Sequence, residues 1–119
     1  MGMFDIVYCD DFPLPLEGFQ HRVFQTKSID VPGRFGPYLD FFRIREDGLI
    51  VRLGDYDDEN NLEYEQHRAT KGGQILNYLN GDVYFYTYFK EPSQGWVEFV
   101  ATVKEGRVTE VKLVRLEEE

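Results

Sequence analysis

From Val83 to Phe89 the chain reads Val83-Tyr84-Phe85-Tyr86-Thr87-Tyr88-Phe89, and from Trp96 to Lys104 apolar and polar residues alternate again. Aromatic and β-branched side chains recurring at period two fit pleated strands, because successive residues of a strand point to opposite faces. Glu91-Pro92-Ser93-Gln94-Gly95 between the two runs is turn chemistry, and Glu105-Gly106 sits where a tight hairpin needs positive φ. A third strand is expected over Val108 to Leu116. The three form a meander with Phe85, Val97, Phe99, Ala101, Val103, Val111 and Leu113 inward, and Glu98, Thr102, Glu110 and Lys112 toward water.

A second hairpin is predicted from Tyr38 to Arg45 and Leu49 to Leu53, which flank Glu46-Asp47-Gly48. Gly48 is free to take the left-handed conformation that such a reversal needs. Phe42, Ile44, Leu49, Val51 and Leu53 are expected to face the core. Shorter strands are predicted over Phe4 to Cys9 and Arg22 to Lys27. The segment between them contains Pro13-Leu14-Pro15 and is extended, since proline forbids helix and removes a ladder donor. Val31-Pro32-Gly33-Arg34-Phe35-Gly36-Pro37 reads as a loop for the same reasons. Gln74 to Leu79 is too short for periodicity to separate a helical turn from a strand, and extended is preferred. The fold class expected is mainly β with at most short helices: a single antiparallel sheet, a sandwich or a partly open barrel.

At 119 residues, with 42% apolar residues that include 10 Phe, 8 Tyr and 1 Trp, the chain has material for one domain with a substantial core. No apolar run approaches the ~18 residues of a membrane helix, and Met1-Gly2-Met3-Phe4-Asp5 lacks the basic and apolar regions of a signal peptide, so a cytoplasmic protein is expected. Cys9 is the only cysteine, which excludes an intrachain disulfide and a zinc site built on cysteines.

Thirteen basic residues against 22 acidic ones give a formal charge of −9, which repels nucleic-acid phosphates and anionic membranes and suits a partner with a basic surface. Much of the acidity is local. Asp55, Asp57, Asp58, Glu59, Glu63 and Glu65 precede the first formal base of that stretch, Arg68, in what reads as an exposed loop with a helical turn around Leu62 to Gln66. Asp55, Asp57 and Glu59 alternate like the first ligands of an EF-hand calcium loop. Asn60 then stands where the turn requires Gly and Gln66 where the bidentate Glu belongs, so a solvated loop is the better reading and no metal is expected.

Catalytic chemistry is not legible. His21 and His67 lie in polar surroundings away from Cys9, carboxylate pairs such as Asp10/Asp11 are too common in an acidic chain to mark an acid and a base, and Gly72-Gly73 lacks the spacing of a phosphate loop. No catalytic residue and no cofactor is therefore expected. The tyrosines are more informative. Tyr84, Tyr86 and Tyr88 fall on the strand face opposite Phe85 and Phe89, where another part of the chain covers them or they form a stripe of rigid rings with polar tips suited to a protein interface. Base stacking on that stripe is disfavoured by the lack of a basic funnel.

Taken in order, Met1-Gly2-Met3-Phe4-Asp5, Pro13-Leu14-Pro15, Phe24-Gln25-Thr26-Lys27, Asp47-Gly48-Leu49, Gly81-Asp82-Val83-Tyr84-Phe85-Tyr86-Thr87 and Gly95-Trp96-Val97-Glu98-Phe99 resemble a family of small proteins from phages, prophages and bacterial genomes. The likeness spans most of the chain. Some relatives carry a cysteine pair near the Pro-Leu-Pro segment that points to zinc; the lone Cys9 here does not support carrying the metal over. The resemblance lends no catalytic residues and implies a phage or bacterial accessory protein of the bacterial cytoplasm.

Three functions follow as expectations. The first is a non-enzymatic interaction protein that binds and inhibits or redirects a bacterial protein or complex through Asp55, Asp57, Asp58, Glu59, Glu63, Glu65, Tyr84, Tyr86 and Tyr88. The second is a small-molecule-binding β-barrel protein or enzyme with Gln25, Lys27 and Arg43 as polar anchors. The third is a structural or assembly protein.

Overall fold

The computed structural model describes residues 4–29, 40–55, 73–90 and 93–118. Among these residues eight strands follow one another: β1 (Asp5–Tyr8), β2 (Val23–Thr26), β3 (Asp40–Ile44), β4 (Ile50–Asp55), β5 (Gln74–Ile75), β6 (Gly81–Phe89), β7 (Gly95–Lys104) and β8 (Arg107–Glu118). They form one open sheet in the order β5-β4-β3-β1-β2-β6-β7-β8. The mainly β fold and the C-terminal meander are as the alternation predicts. The sheet is mixed, because β1 and β3 run parallel while every other neighbouring pair is antiparallel. Gln74 and Ile75 are extended, and a turn follows over Leu76 to Leu79. The expected helical turn at Leu62 to Gln66 and the loop at Val31 to Pro37 lie outside the described residues.

The core lies on one face. Val7, Phe24, Phe42, Ile44, Ile50, Val83, Phe85, Phe89, Val97, Phe99, Ala101, Val103 and Val108 point to it from the strands, joined by Cys9 and Phe19 from the 9–22 connection and by Leu76 and Leu79 from the turn after β5. Edge-to-face aromatic pairs organise its centre, with Phe24 and Phe85 at 5.1 Å and Phe19 and Phe89 at 5.0 Å. The connection crosses this face with Phe12, Leu14 and Leu16 against the core. Gln20 holds it in shape: its amide nitrogen donates to the carbonyls of Cys9 and Phe12, and its oxygen accepts from the Leu14 N–H at 3.1 Å.

The second hairpin departs from the expected facing. Arg45 N donates to the Leu49 carbonyl at 2.9 Å, so the turn pairs Arg45 with Leu49 and Ile44 with Ile50. Ile50 therefore joins Phe42 and Ile44 in the main core, whereas Leu49 and Val51 belong to the other face, where Val51 is buried as expected. The register slips between Phe41 and Phe42, which leaves Leu53 unpaired opposite them; it packs instead with Ile6, Tyr8 and Phe41 in a second, smaller cluster.

The sheet curls until its distant strands touch at one corner. Leu49 and Arg107 form an antiparallel bridge, Ile50 N donates to the Gly106 carbonyl at 2.9 Å, and Val108 N donates to the Gly48 carbonyl at 2.8 Å. Gly106 makes this possible. It has φ of +80°, its N–H donates to the Leu79 carbonyl at 2.9 Å, and a Cβ there would collide with the Leu76 carbonyl. Beyond Val108 no described strand pairs with the outer edge of the last strand, so the sheet stays open.

Candidate interaction surface

Because β6 pairs with β2 on one side and β7 on the other, its alternation is resolved into two faces. Phe85 and Phe89 are buried, whereas Tyr84 and Tyr88 are 41% and 48% exposed. Tyr86 lies between them, half-buried. Two hydroxyl residues after and within β2 fix the strand at Tyr84: the Thr26 hydroxyl donates to the Tyr84 carbonyl at 2.6 Å, and the Ser28 hydroxyl accepts from the Tyr84 N–H at 3.3 Å.

Cross-strand register supplies the neighbours. Tyr84 stands opposite Val100, Tyr86 opposite Glu98 and Gln25, and Tyr88 opposite Trp96. The Tyr86 ring stacks diagonally on Trp96, with centroids 5.0 Å apart and 27° between planes. The indole nitrogen of Trp96 is covered and has no hydrogen-bond partner. Burial first, and the Glu98 carboxylate second, push the Tyr86 hydroxyl above its ordinary value of 10.0. Trp96 was not among the predicted binding residues, and Gln25 was expected only as an anchor of a small-molecule pocket; Trp96 follows from the parity of its strand, but Gln25 beside the tyrosines needs the β2–β6 pairing, which joins segments about sixty residues apart in the chain.

The charges bordering this surface alternate in sign. Glu98 stands opposite Arg115, Arg115 lies 3.7 Å from Glu117, and Lys112 lies 3.9 Å from Glu110. Among the described residues, negative charge is thus not concentrated around the tyrosines. Of the predicted acidic residues, Asp55 ends β4, four strand steps from β6, or about 19 Å along the sheet at the usual ~4.8 Å spacing. Asp57, Asp58, Glu59, Glu63 and Glu65 lie outside the described residues.

The other polar candidates are dispersed. Gln25 faces Tyr86, Lys27 is exposed just after β2, and Arg43 lines an open cleft of about 710 Å³ with Asp11, Arg45 and Asp47 around Val51 and Ile75. Arg45 is already paired with Asp47 at 3.0 Å. Among the described residues no three His, Cys, Asp or Glu side chains are placed to hold a metal ion. Cys9 is fully buried, its thiol donates to the Phe12 carbonyl at 3.3 Å, and burial, followed by Asp10 and Asp11, pushes it up to about 12, so it remains a thiol at neutral pH. His21 is exposed, with Nδ1 3.7 Å from an Asp10 oxygen.

No helix among the described residues is long and apolar enough to cross a membrane. Compared with known proteins, the chain matches no family description, no curated protein and no solved structure.

Proposed function

We propose that this protein is a non-enzymatic binding protein that engages a partner macromolecule through the outer face of β6 and β7, with Tyr84 and Tyr88 as exposed anchors around the Tyr86–Trp96 stack. The observation that carries this is the exposure of two large tyrosines beside a half-buried aromatic pair on a sheet whose opposite face already holds the main core. Aromatic side chains with polar tips contribute disproportionately to protein interfaces, and rigid strands hold them in place without further ordering cost. The resemblance to phage and prophage proteins motivates the finer form: an accessory factor of the bacterial cytoplasm that inhibits or redirects a host protein or complex. The acidic segment from Asp55 to Glu65 serves as a second contact for a partner with a basic surface.

Affinity capture from bacterial lysate with three baits tests this: the parent, Tyr84→Ala/Tyr88→Ala, and Asp57→Lys/Asp58→Lys/Glu59→Lys. A protein retained by the parent and lost by the tyrosine variant is expected, with partial loss, largest at low salt and shrinking as salt rises, for the charge-reversed variant. Identical recoveries from the parent and the tyrosine variant contradict the proposal.

The Arg43 cleft favours a second reading, a small-molecule binder, because about 710 Å³ falls in the range of ligand sites. Thermal-shift screening of nucleotides and metabolites separates the two, since a ligand confined to the native state raises the melting temperature.

A further inference from the structure

We infer that the outer edge of β8 pairs antiparallel with the same strand of a second copy of this chain, joining two sheets across a two-fold axis; this goes beyond the binding role of the tyrosine face. The backbone supplies the first reason. The Val108 N–H, opposite Val103, points away from β7 to the Gly48 carbonyl. By the alternation of an antiparallel ladder, Val111, Leu113 and Leu116, which stand opposite Ala101, Phe99 and Val97, turn their N–H and C=O groups to that same edge. Among the described residues no strand meets them there, and a row of open ladder groups is a template for another strand.

A bulge and the side chains around it select which strand. The register slip opposite Glu98 and Phe99 leaves Val114 as an extra residue. Leu113 and Leu116, three apart in sequence, thereby fall on one face, that of core residues Phe99 and Val97, while Lys112 and Glu117 fall on the other, that of Val100 and Trp96. A two-fold axis normal to the sheet requires paired residues to share a face. With the axis at the bulge, between Val114 and Arg115, β8 meets its copy as Leu113 with Leu116 and Lys112 with Glu117, each pair twice. The exposed Leu113, Val114 and Leu116 gain a covering strand, and opposite charges face one another. Arg115 keeps Glu117 of its own strand at 3.7 Å.

Neighbouring registers fail. An axis at Leu113 sets Lys112 against Arg115 and Glu110 against Glu117, and an axis at Leu116 sets Leu113 against Glu118. An axis at Lys112 drives Leu116 and Glu117 of the second copy into the corner where Leu49 bridges Arg107. Charges and bulges ordinarily guard an edge against pairing. Here the bulge sits on the symmetry axis and the charges complement themselves.

A ladder over residues 111–118 is smaller than the roughly 20–30 residues a side of standard interfaces, so the dimer is reversible. Sedimentation velocity of the full chain at low salt, from about 5 μM to about 1 mM, should show a monomer–dimer equilibrium half-complete below about 1 mM. Lys112→Glu should weaken it about tenfold, because both symmetric pairs become repulsive, and Lys112→Glu/Glu117→Lys should restore it. Both positions are exposed, so the monomer keeps its fold. Carbodiimide should join Lys112 to Glu117 between copies; within one strand they stand about 13 Å apart at ~3.3 Å per residue, too far for a zero-length link. A chain that stays monomeric to about 1 mM overturns the inference. So does a dimer that Lys112→Glu leaves intact, that the double reversal fails to restore, or that is lost in Tyr84→Ala/Tyr88→Ala, which would put the contact on the tyrosine face.

Discussion

The rings of Tyr86 and Trp96 lie 5.0 Å apart although the backbone register sets each opposite a different residue, Tyr86 facing Glu98 and Trp96 facing Tyr88. The stack is therefore a diagonal contact, which long aromatic side chains on adjacent strands can reach. It ties the middle of the tyrosine row to β7 and leaves both ends of the row open.

That contact predicts unequal costs for two substitutions. Tyr86→Ala loses the stacked pair and part of the buried ring, about 1–3 kcal/mol. Trp96→Phe keeps an aromatic ring and removes a covered N–H that has no partner, so its stability should stay within about 1 kcal/mol of the parent. Urea denaturation midpoints at neutral pH measure both.

Gly106 predicts a second contrast. At φ of +80°, a Cβ there meets the Leu76 carbonyl and lies 2.8 Å from the Asn77 Cα, both backbone atoms that cannot swing away. Gly18 has a similar φ of +94° with open space around it. Gly18→Ala should cost about 1–2 kcal/mol of backbone strain, and Gly106→Ala about 2 kcal/mol more, because it also pries apart the corner where β4 meets β8. Denaturant unfolding of the two variants side by side checks the difference.

Cys9 sets an alkaline limit on stability. Its thiol is held up to about 12 in the folded protein against an ordinary 9.0, so the unfolded chain loses this proton first as pH rises. The contribution is intact below pH 9 and is lost progressively between pH 9 and pH 12, at roughly 1.4 kcal/mol per pH unit. Cys9→Ala should flatten that part of the decline relative to the parent in urea midpoints recorded from pH 8 to pH 11. The folded parent should also resist thiol-specific reagents at pH 8.

Tyr86 titrates in the same direction for a partly different reason. Glu98→Gln removes the smaller of its two causes, so the Tyr86 ionisation should move down toward 10.0 without reaching it. Tyrosinate absorbance against pH, with Tyr86→Phe identifying the transition, reads the shift.

Much of the fold was legible in the residues from Val83 onward because every level agreed there: side chains at period two, turn residues between them and short connections. The β1–β3 parallel pair was not, because its partners are separated by more than thirty residues that include the whole of β2, and no local pattern announces which strands meet across such a distance. Leu113 shows a subtler limit. It stands opposite core residue Phe99, as alternation predicts, yet it is 41% exposed, since β8 is an edge strand that continues past the packed core. Alternation puts Leu49 inward together with Val51 and Leu53, while the Arg45–Leu49 closure of the hairpin decides parity and sends Ile50 to the main core in place of Leu49.

The surface was half legible. Alternation with Phe85 and Phe89 identified Tyr84, Tyr86 and Tyr88 as the outer row, but the stack with Trp96 and the presence of Gln25 depend on register between strands. The acidic set was found by composition alone, which carries no information about where those residues stand relative to the tyrosines.

Acetylation of tyrosine hydroxyls by N-acetylimidazole, followed by peptide mapping of the native protein, tests most directly whether the outer face of β6 is open for binding. Tyr84 and Tyr88 should be modified at rates close to those in the unfolded chain while Tyr8, fully buried, is spared. Protection of Tyr84 and Tyr88 equal to that of Tyr8 in the isolated protein would mean the face is covered, and the binding role assigned to it would fail.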